Sequence, residues 1–397
     1  MASLSEYLVW RGDISFDEVP LNVVDALLLS QLSYLDLRGI IGKTERKKEC
    51  TLAYAAKRFW QLHTEEEFAD CVSFAVRSAG MLLREMAKTN RFRDLMLRNY
   101  VNRNDLTMEE QFAALEIVLG KKESFISFSG TDDTIIGWKE DFNMCFLSPI
   151  PAQTDAKAYL EEILLDGLHR KVYIGGHSKG GNLAVYSAVK CKKLFRRSIL
   201  RVFNFDGPGF NKAFIESERY QEMKERIETW VPESSVVGML LEHEEDYQVV
   251  KSSQNGFMQH DATSWEVLGA EFIRLPAVKE SSRRLAAGVK EWMNDLRPEE
   301  LEQFGERIFE VLTVTDAKTL AELNKDRLKN ITAIIQSFHT MDKKTKDMLF
   351  ALVKAMVAAN IKIELPKKTE GKAEKKPEPV REPILIAGRK KLPGNSH

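Results

Sequence analysis

The sequence predicts an α/β protein: a mostly parallel sheet with helices on both faces, and helical segments before and after it. Three observations lead there. Short apolar runs of strand length alternate with helical segments between residues 123 and 275, the signature of βαβ units. A Gly-x-Ser-x-Gly sequence sits between one of those runs and the following helix. On either side, residues 1–122 and 276–365 carry apolar residues at helical spacing instead.

In chain order, Asn22 is placed to cap a helix opening at Val23. The charged run at 44–49 suits a solvated loop. Thr107 and Glu110 match a capping box ahead of Phe112, Leu115 and Val118, which predicts a further helix. Strands are expected at 125–128, 172–174 and 200–205, with 236–241 and 247–250 continuing the series. Helices at 154–164 and 180–192 separate them, and the crossovers should be right-handed. Beyond 276, helical spacing returns at Leu285, Val289, Trp292 and Met293 and again at Leu349, Leu352, Val353 and Met356.

The segment 366–397 differs. It holds five of the twelve prolines, no aromatic residue, and nine Lys or Arg against four Glu. Too little apolar surface is available there to offset ordering entropy, so a disordered basic tail is expected. The whole chain has a formal charge of −1, and the tail's +5 leaves −6 for the remainder.

That balance argues against a nucleic-acid binder, which needs a basic excess. No apolar run approaches the roughly 18 residues of a membrane span. Residues 1–20 include Glu6, Arg11, Asp13, Asp17 and Glu18, so no signal-peptide core is expected, and a cytoplasmic protein is. Cys50, Cys71, Cys145 and Cys191 are scattered, with no metal-ligand spacing, and suit free thiols.

The residues able to do chemistry centre on Gly176, His177, Ser178, Lys179 and Gly180. Strand, turn and helix follow one another there, as a nucleophile elbow requires. The glycines two before and two after Ser178 remove side chains that would strike the neighbouring strand and helix. The helix N-terminus behind the serine favours a developing negative charge. The ordinary alternative is a Gly-rich turn of an α/β protein.

A serine nucleophile needs a base and an orienting acid, here in the order Ser, acid, His. Downstream of Ser178 in the sheet region stand His243 and His260. His260 lies in a loop after the last expected strand and is preferred. His243 is flanked by glutamates and suits a surface turn. The acid candidates are Asp206, which ends the strand at 200–205, and Glu233, after the next strand. Asp206 is preferred, against an ordinary role as a turn or cap aspartate. Oxyanion-hole N–H groups are expected from Lys179, the residue after the nucleophile, and from Thr131 in the loop after the first strand.

These segments resemble known lipases. Phe128-Ser129-Gly130-Thr131-Asp132 is similar to the oxyanion segment of the fungal-type (class 3) lipases, with Ser129 in place of Arg. The elbow is similar to theirs, with Lys179 in place of Leu. A bacterial lipase-like family of unknown function is resembled more closely over residues 1–360. The carrying segments are Trp10-Arg11-Gly12-Asp13, the run Gly137 to Met144, the elbow, Phe205-Asp206-Gly207-Pro208-Gly209-Phe210 and Gln259-His260-Asp261. The resemblance implies an α/β-hydrolase fold with Ser178 as nucleophile and His260 as base. Asp206-Gly207-Pro208 also looks like the acid segment of pancreatic-type lipases. Two departures stand out. Class 3 enzymes have an Asp where this chain has Ser234-Ser235. Lys179 puts a cation beside the elbow, there to meet an anionic substrate or to point to solvent.

The expected function is a serine esterase or lipase-like hydrolase without metal or organic cofactor, acting on a small-molecule or lipid ester. The competing expectation is an inactive hydrolase-fold binding or scaffold protein. A third is weak partner or membrane-surface contact through the basic tail, carried by Pro383, Ile384, Leu385, Ile386 and Ala387.

Overall fold

The computed structural model describes residues 2–41, 49–66, 73–313 and 343–348, apart from 106, 108, 133, 145, 167–169, 244 and 344. The charged run at 44–48, Cys71, Cys145, the helical spacing at 349–356 and the tail from 366 lie outside them.

Asn22 caps α2 (Val23–Gln31), its side chain accepting from the Val24 and Asp25 amides. It follows α1 (Leu4–Arg11) and precedes a 3-10 turn, Leu32–Tyr34. β1 (Cys50–Thr51), α3 (Leu52–Leu62) and α4 (Phe74–Met86) lead into β2 (Met96–Asp105), β3 (Glu110–Val118) and β4 (Glu123–Phe128). Next come α5 (Ile135–Asn143), α6 (Pro151–Asp166), β5 (Lys171–His177), α7 (Lys179–Lys190) and β6 (Ile199–Phe205). β7 (Ile227–Pro232) and β8 (Gln248–Val250) follow, then a small hairpin of β9 (Val267–Leu268) and β10 (Glu271–Phe272). β11 (Arg274–Leu275), α8 (Glu280–Asn294) and α9 (Pro298–Thr313) close the described core.

Among the described residues the main sheet runs β1-β2-β3-β4-β5-β6-β7-β8-β11. Strands β4 to β8 are parallel; β1 to β4, and β8 with β11, pair antiparallel. Alternate side chains feed two apolar layers. Phe125, Phe203 and Phe205 pack with the N-terminal helices on one face. Ile126, Phe128, Ile174 and Val202 pack with α6 and α7 on the other. Among the described residues no helix is long and apolar enough to cross a membrane.

Residues 96–105 and 110–118, expected to be helical, are β2 and β3 instead. Eight of the nine β3 residues are buried, so no apolar–polar alternation marks it as a strand. Glu116, which reads like the polar side of a helix, is buried and bonded by Arg98, Arg170, Asn99 and Ser124. The run at 236–241, expected as a strand, forms a 3-10 turn over Val237–Met239. Its Gly238 amide turns inward to Asp206 rather than to a neighbouring strand. Cys50 and Cys191 are free thiols, both pushed up to about 11 by burial.

Candidate active site

The site assembles at the C-terminal ends of the parallel strands, where open α/β sheets present their reactive side chains. Ser178 follows β5 at φ 57°, ψ −133°, a left-handed backbone that L residues rarely adopt. Its amide donates to the Phe205 carbonyl (2.9 Å), pinning the turn to β6. A Cβ on Gly176 would lie 2.2 Å from the Gly180 backbone, and one on Gly180 2.2 Å from the Phe128 carbonyl. The two glycines are therefore dictated by strand and helix backbones in contact.

Ser178 Oγ stands 3.0 Å from His260 Nε2, and His260 Nδ1 stands 2.7 Å from Asp206 Oδ2. With Nδ1–H donating to the carboxylate, Nε2 is left bare to accept the serine proton. Asp206 is fully buried at the end of β6, also at positive φ (52°). Its amide donates to the Trp230 carbonyl (2.8 Å), and its Oδ1 accepts from Ser235 Oγ (2.5 Å) and the Gly238 amide (3.1 Å). The carboxylate thus has three donors and no water-facing side, which keeps it an acceptor aimed at His260.

Glu233 is not drawn into this constellation; its carboxylate pairs with Lys279 (2.8 Å). His243 is likewise outside it. Its side chain is largely covered and lies beside Glu245 (3.2 Å), whose carboxylate also accepts from the Tyr220 and Thr229 hydroxyls.

Lys179 departs from both expectations for its side chain. It is buried, and its ammonium donates to the Gln111 carbonyl (2.8 Å), Gln111 Oε1 (2.7 Å) and Glu140 Oε2 (2.7 Å). Burial alone would lower this ammonium; the Glu140 and Asp141 carboxylates outweigh it and hold it above the ordinary lysine range. Glu140 in turn accepts from the Ala152 and Gln111 amides. The lysine stem therefore ties the elbow helix to β3, α5 and the start of α6. As the first residue of α7, Lys179 carries one of the four amides a helix leaves without an internal acceptor.

Thr131 lies in the loop between β4 and α5, one residue after Gly130. A Cβ on Gly130 would lie 2.6 Å from the His177 carbonyl, so this loop runs against the elbow. The Thr131 hydroxyl donates to Asp141, whose carboxyl is pushed up to about 6 by burial, Lys179 and Thr131 only partly opposing the rise.

Several residues around the site carry no motif signal. Asn182 on α7 donates to the Pro208 and Gly209 carbonyls, holding the acid loop to the elbow helix. Ser78 of α4 donates to Asp261, beside the base. A lysine at a buried helix start does demand an anion, and that demand could have led to Glu140. Among the described residues no three His, Cys, Asp or Glu side chains converge to hold a metal.

Sheet topology and elbow are those of the α/β-hydrolase fold. The chain belongs to the Mbeg1-like family, whose model matches residues 86–310. No curated protein matches it. Three solved structures are similar at low identity. A triacylglycerol lipase whose catalytic centre is formed by a serine-protease triad is 17% identical, covering 57% of this chain and 78% of that one, with a TM-score of 0.34. M37 lipase is 16% identical, over 54% and 68%, with a TM-score of 0.34. A fungal lipase–inhibitor complex is 17% identical, over 44% and 74%, with a TM-score of 0.28.

Proposed function

We propose that the protein is a serine hydrolase of carboxylic esters, with Ser178 as nucleophile, His260 as base and Asp206 as orienting acid. The observation that carries this reading is the continuous hydrogen-bond chain from Ser178 Oγ through His260 to Asp206, at 3.0 and 2.7 Å.

Ser178 Oγ attacks the ester carbonyl carbon while His260 Nε2 takes its proton. The imidazolium so formed is stabilised by buried Asp206. The tetrahedral oxyanion is met by the Lys179 and Thr131 amides. On collapse, His260 returns the proton to the leaving alkoxide and the acyl group stays on Ser178. A water, deprotonated by His260, then releases the acid and regenerates the serine. The chemistry calls on no metal or organic cofactor. A lipid ester or a thioester would be attacked in the same way.

Purified protein should hydrolyse p-nitrophenyl esters and react with a fluorophosphonate, the label mapping to Ser178 and vanishing in Ser178→Ala. If the wild type stays unlabelled under conditions that label a known esterase, the reading fails.

A further inference from the structure

We propose that Tyr34 and His177 form a positioning pair that locks the base loop to the oxyanion loop, with His177 held as the neutral imidazole protonated at Nε2. The proposal rests on the hydrolase reading above and adds two residues to its site.

His177 precedes Ser178, and its side chain is buried. Its Nε2 lies 2.8 Å from the backbone carbonyl oxygen of His260. A carbonyl can only accept, so Nε2 must carry a proton. His177 Nδ1 lies 2.9 Å from the Tyr34 hydroxyl. With Nε2 protonated and the ring neutral, Nδ1 is bare and Tyr34 donates to it, the His177 carbonyl at 3.1 Å being a second acceptor within reach of the same hydroxyl. The phenolic oxygen in turn lies against Gly130. A Cβ on Gly130 would reach 2.0 Å from that oxygen, so the phenol dictates the glycine. One directed chain of hydrogen bonds therefore runs from Tyr34, packed against Gly130 beside Thr131, through His177 to the backbone of the base.

The arrangement suits the reaction in two ways. First, it fixes the His260 backbone, and a misplacement of about 1 Å at a reacting group can cost about a hundredfold in rate. Second, the two imidazole rings lie 4.7 Å apart. His260 must become a cation during attack, and a second imidazolium so close would oppose it. Tyr34 occupies the nitrogen where His177 would take its second proton. Burial first, and then the facing His260, hold His177 well below the ordinary histidine range. The other titratable groups near the pair are Asp132, Asp141 and Asp261, which act on Tyr34. Tyr34 also lies outside the span 86–310 that the family model matches. The N-terminal segment thus contributes to the geometry of the site.

The test uses the full chain. Wild type is first titrated with a fluorophosphonate; absence of labelling sinks the hydrolase reading without touching the lock. With labelling established, kcat and KM per labelled site are compared on a p-nitrophenyl ester. His177→Gln keeps an N–H near the Nε2 position and should stay within about fivefold of wild-type kcat. His177→Leu should lose about a hundredfold and Tyr34→Phe about tenfold, each with KM changed by less than about twofold. Independently of turnover, imidazole ¹⁵N spectra should show His177 protonated at Nε2 and bare at Nδ1 in wild type, with the Nδ1 resonance shifted in Tyr34→Phe as its hydrogen bond is lost. Equal losses in the Gln and Leu variants, losses confined to KM, or a wild-type Nδ1–H tautomer would each overturn the proposal. If His177→Leu does not fold, Tyr34→Phe and the spectra decide it.

Discussion

The Ser235 hydroxyl donates a 2.5 Å hydrogen bond to Asp206 Oδ1, joining the loop after β7 to the end of β6. Ser235 belongs to the pair standing where the class 3 pattern has its Asp. The carboxylate comes instead from one strand earlier, and the β7 loop supplies a donor to it. Under the hydrolase reading proposed above, that exchange would supply an acid without the class 3 Asp.

Ser235→Ala should therefore lower kcat roughly tenfold, the weight of one hydrogen bond to a buried carboxylate, with little change in KM. Gly238→Ala should do more damage, because its Cβ would lie 2.3 Å from Asp206 Oδ1. Steady-state kinetics on p-nitrophenyl esters compare the two; a Ser235→Ala variant with unchanged kcat removes the hydroxyl from the account.

The Lys179–Glu140 pair makes a stability prediction. Both side chains are buried, so Lys179→Met leaves a carboxylate without its partner and should cost about 3–5 kcal/mol. Lys179→Met combined with Glu140→Gln should recover a good part of that loss. Denaturant titration of the two single variants and the double one gives the coupling; strict additivity would contradict it.

Asp141 should make stability depend on pH. Burial raises its carboxyl to about 6, against about 3.9 for an exposed aspartate. The folded protein keeps a proton that the unfolded chain releases between those values. The stability this contributes is full below about pH 4 and is lost as pH rises through about 6. Asp141→Asn is neutral throughout and still accepts from Thr131. Its stability relative to wild type should rise by on the order of 2 kcal/mol from about pH 4 to about pH 8. A constant difference across that range would refute the assignment.

The N-terminal segment should be held by Arg91. Its guanidinium pairs with Asp25 (2.6 Å), both fully buried, and donates to the carbonyls of Ile14, Ser15, Val19 and Pro20. Asp25→Ala should destabilise by about 3–5 kcal/mol and expose residues 1–20 to protease. A protein that keeps its unfolding midpoint and its protease resistance would show the clasp to be dispensable.

The α/β class, the strands around the elbow and the candidates Ser178, Asp206 and His260, which the fold brings within hydrogen-bond reach, could all be named from the chain, for physical reasons. A strand, a glycine-flanked serine and a helix must be contiguous in sequence to build the turn, and a parallel strand must end where its site residue begins. β3 could not be read, because burial on both faces erases the period of two. The inward course of Glu116 was equally opaque, and Lys179 only hints at an anionic partner such as Glu140. A charge in a sequence looks solvated until its partners, tens of residues away, are known.

The sequence by itself determined the fold class, the elbow and a preferred order of nucleophile, acid and base, since each is written in local spacing and residue type. Tertiary structure alone decided that Asp206 rather than Glu233 reaches His260, that Lys179 faces inward, and that Tyr34 meets His177. Those are contacts between segments far apart in the chain, and only the packing of the sheet and its helices brings them within hydrogen-bond reach.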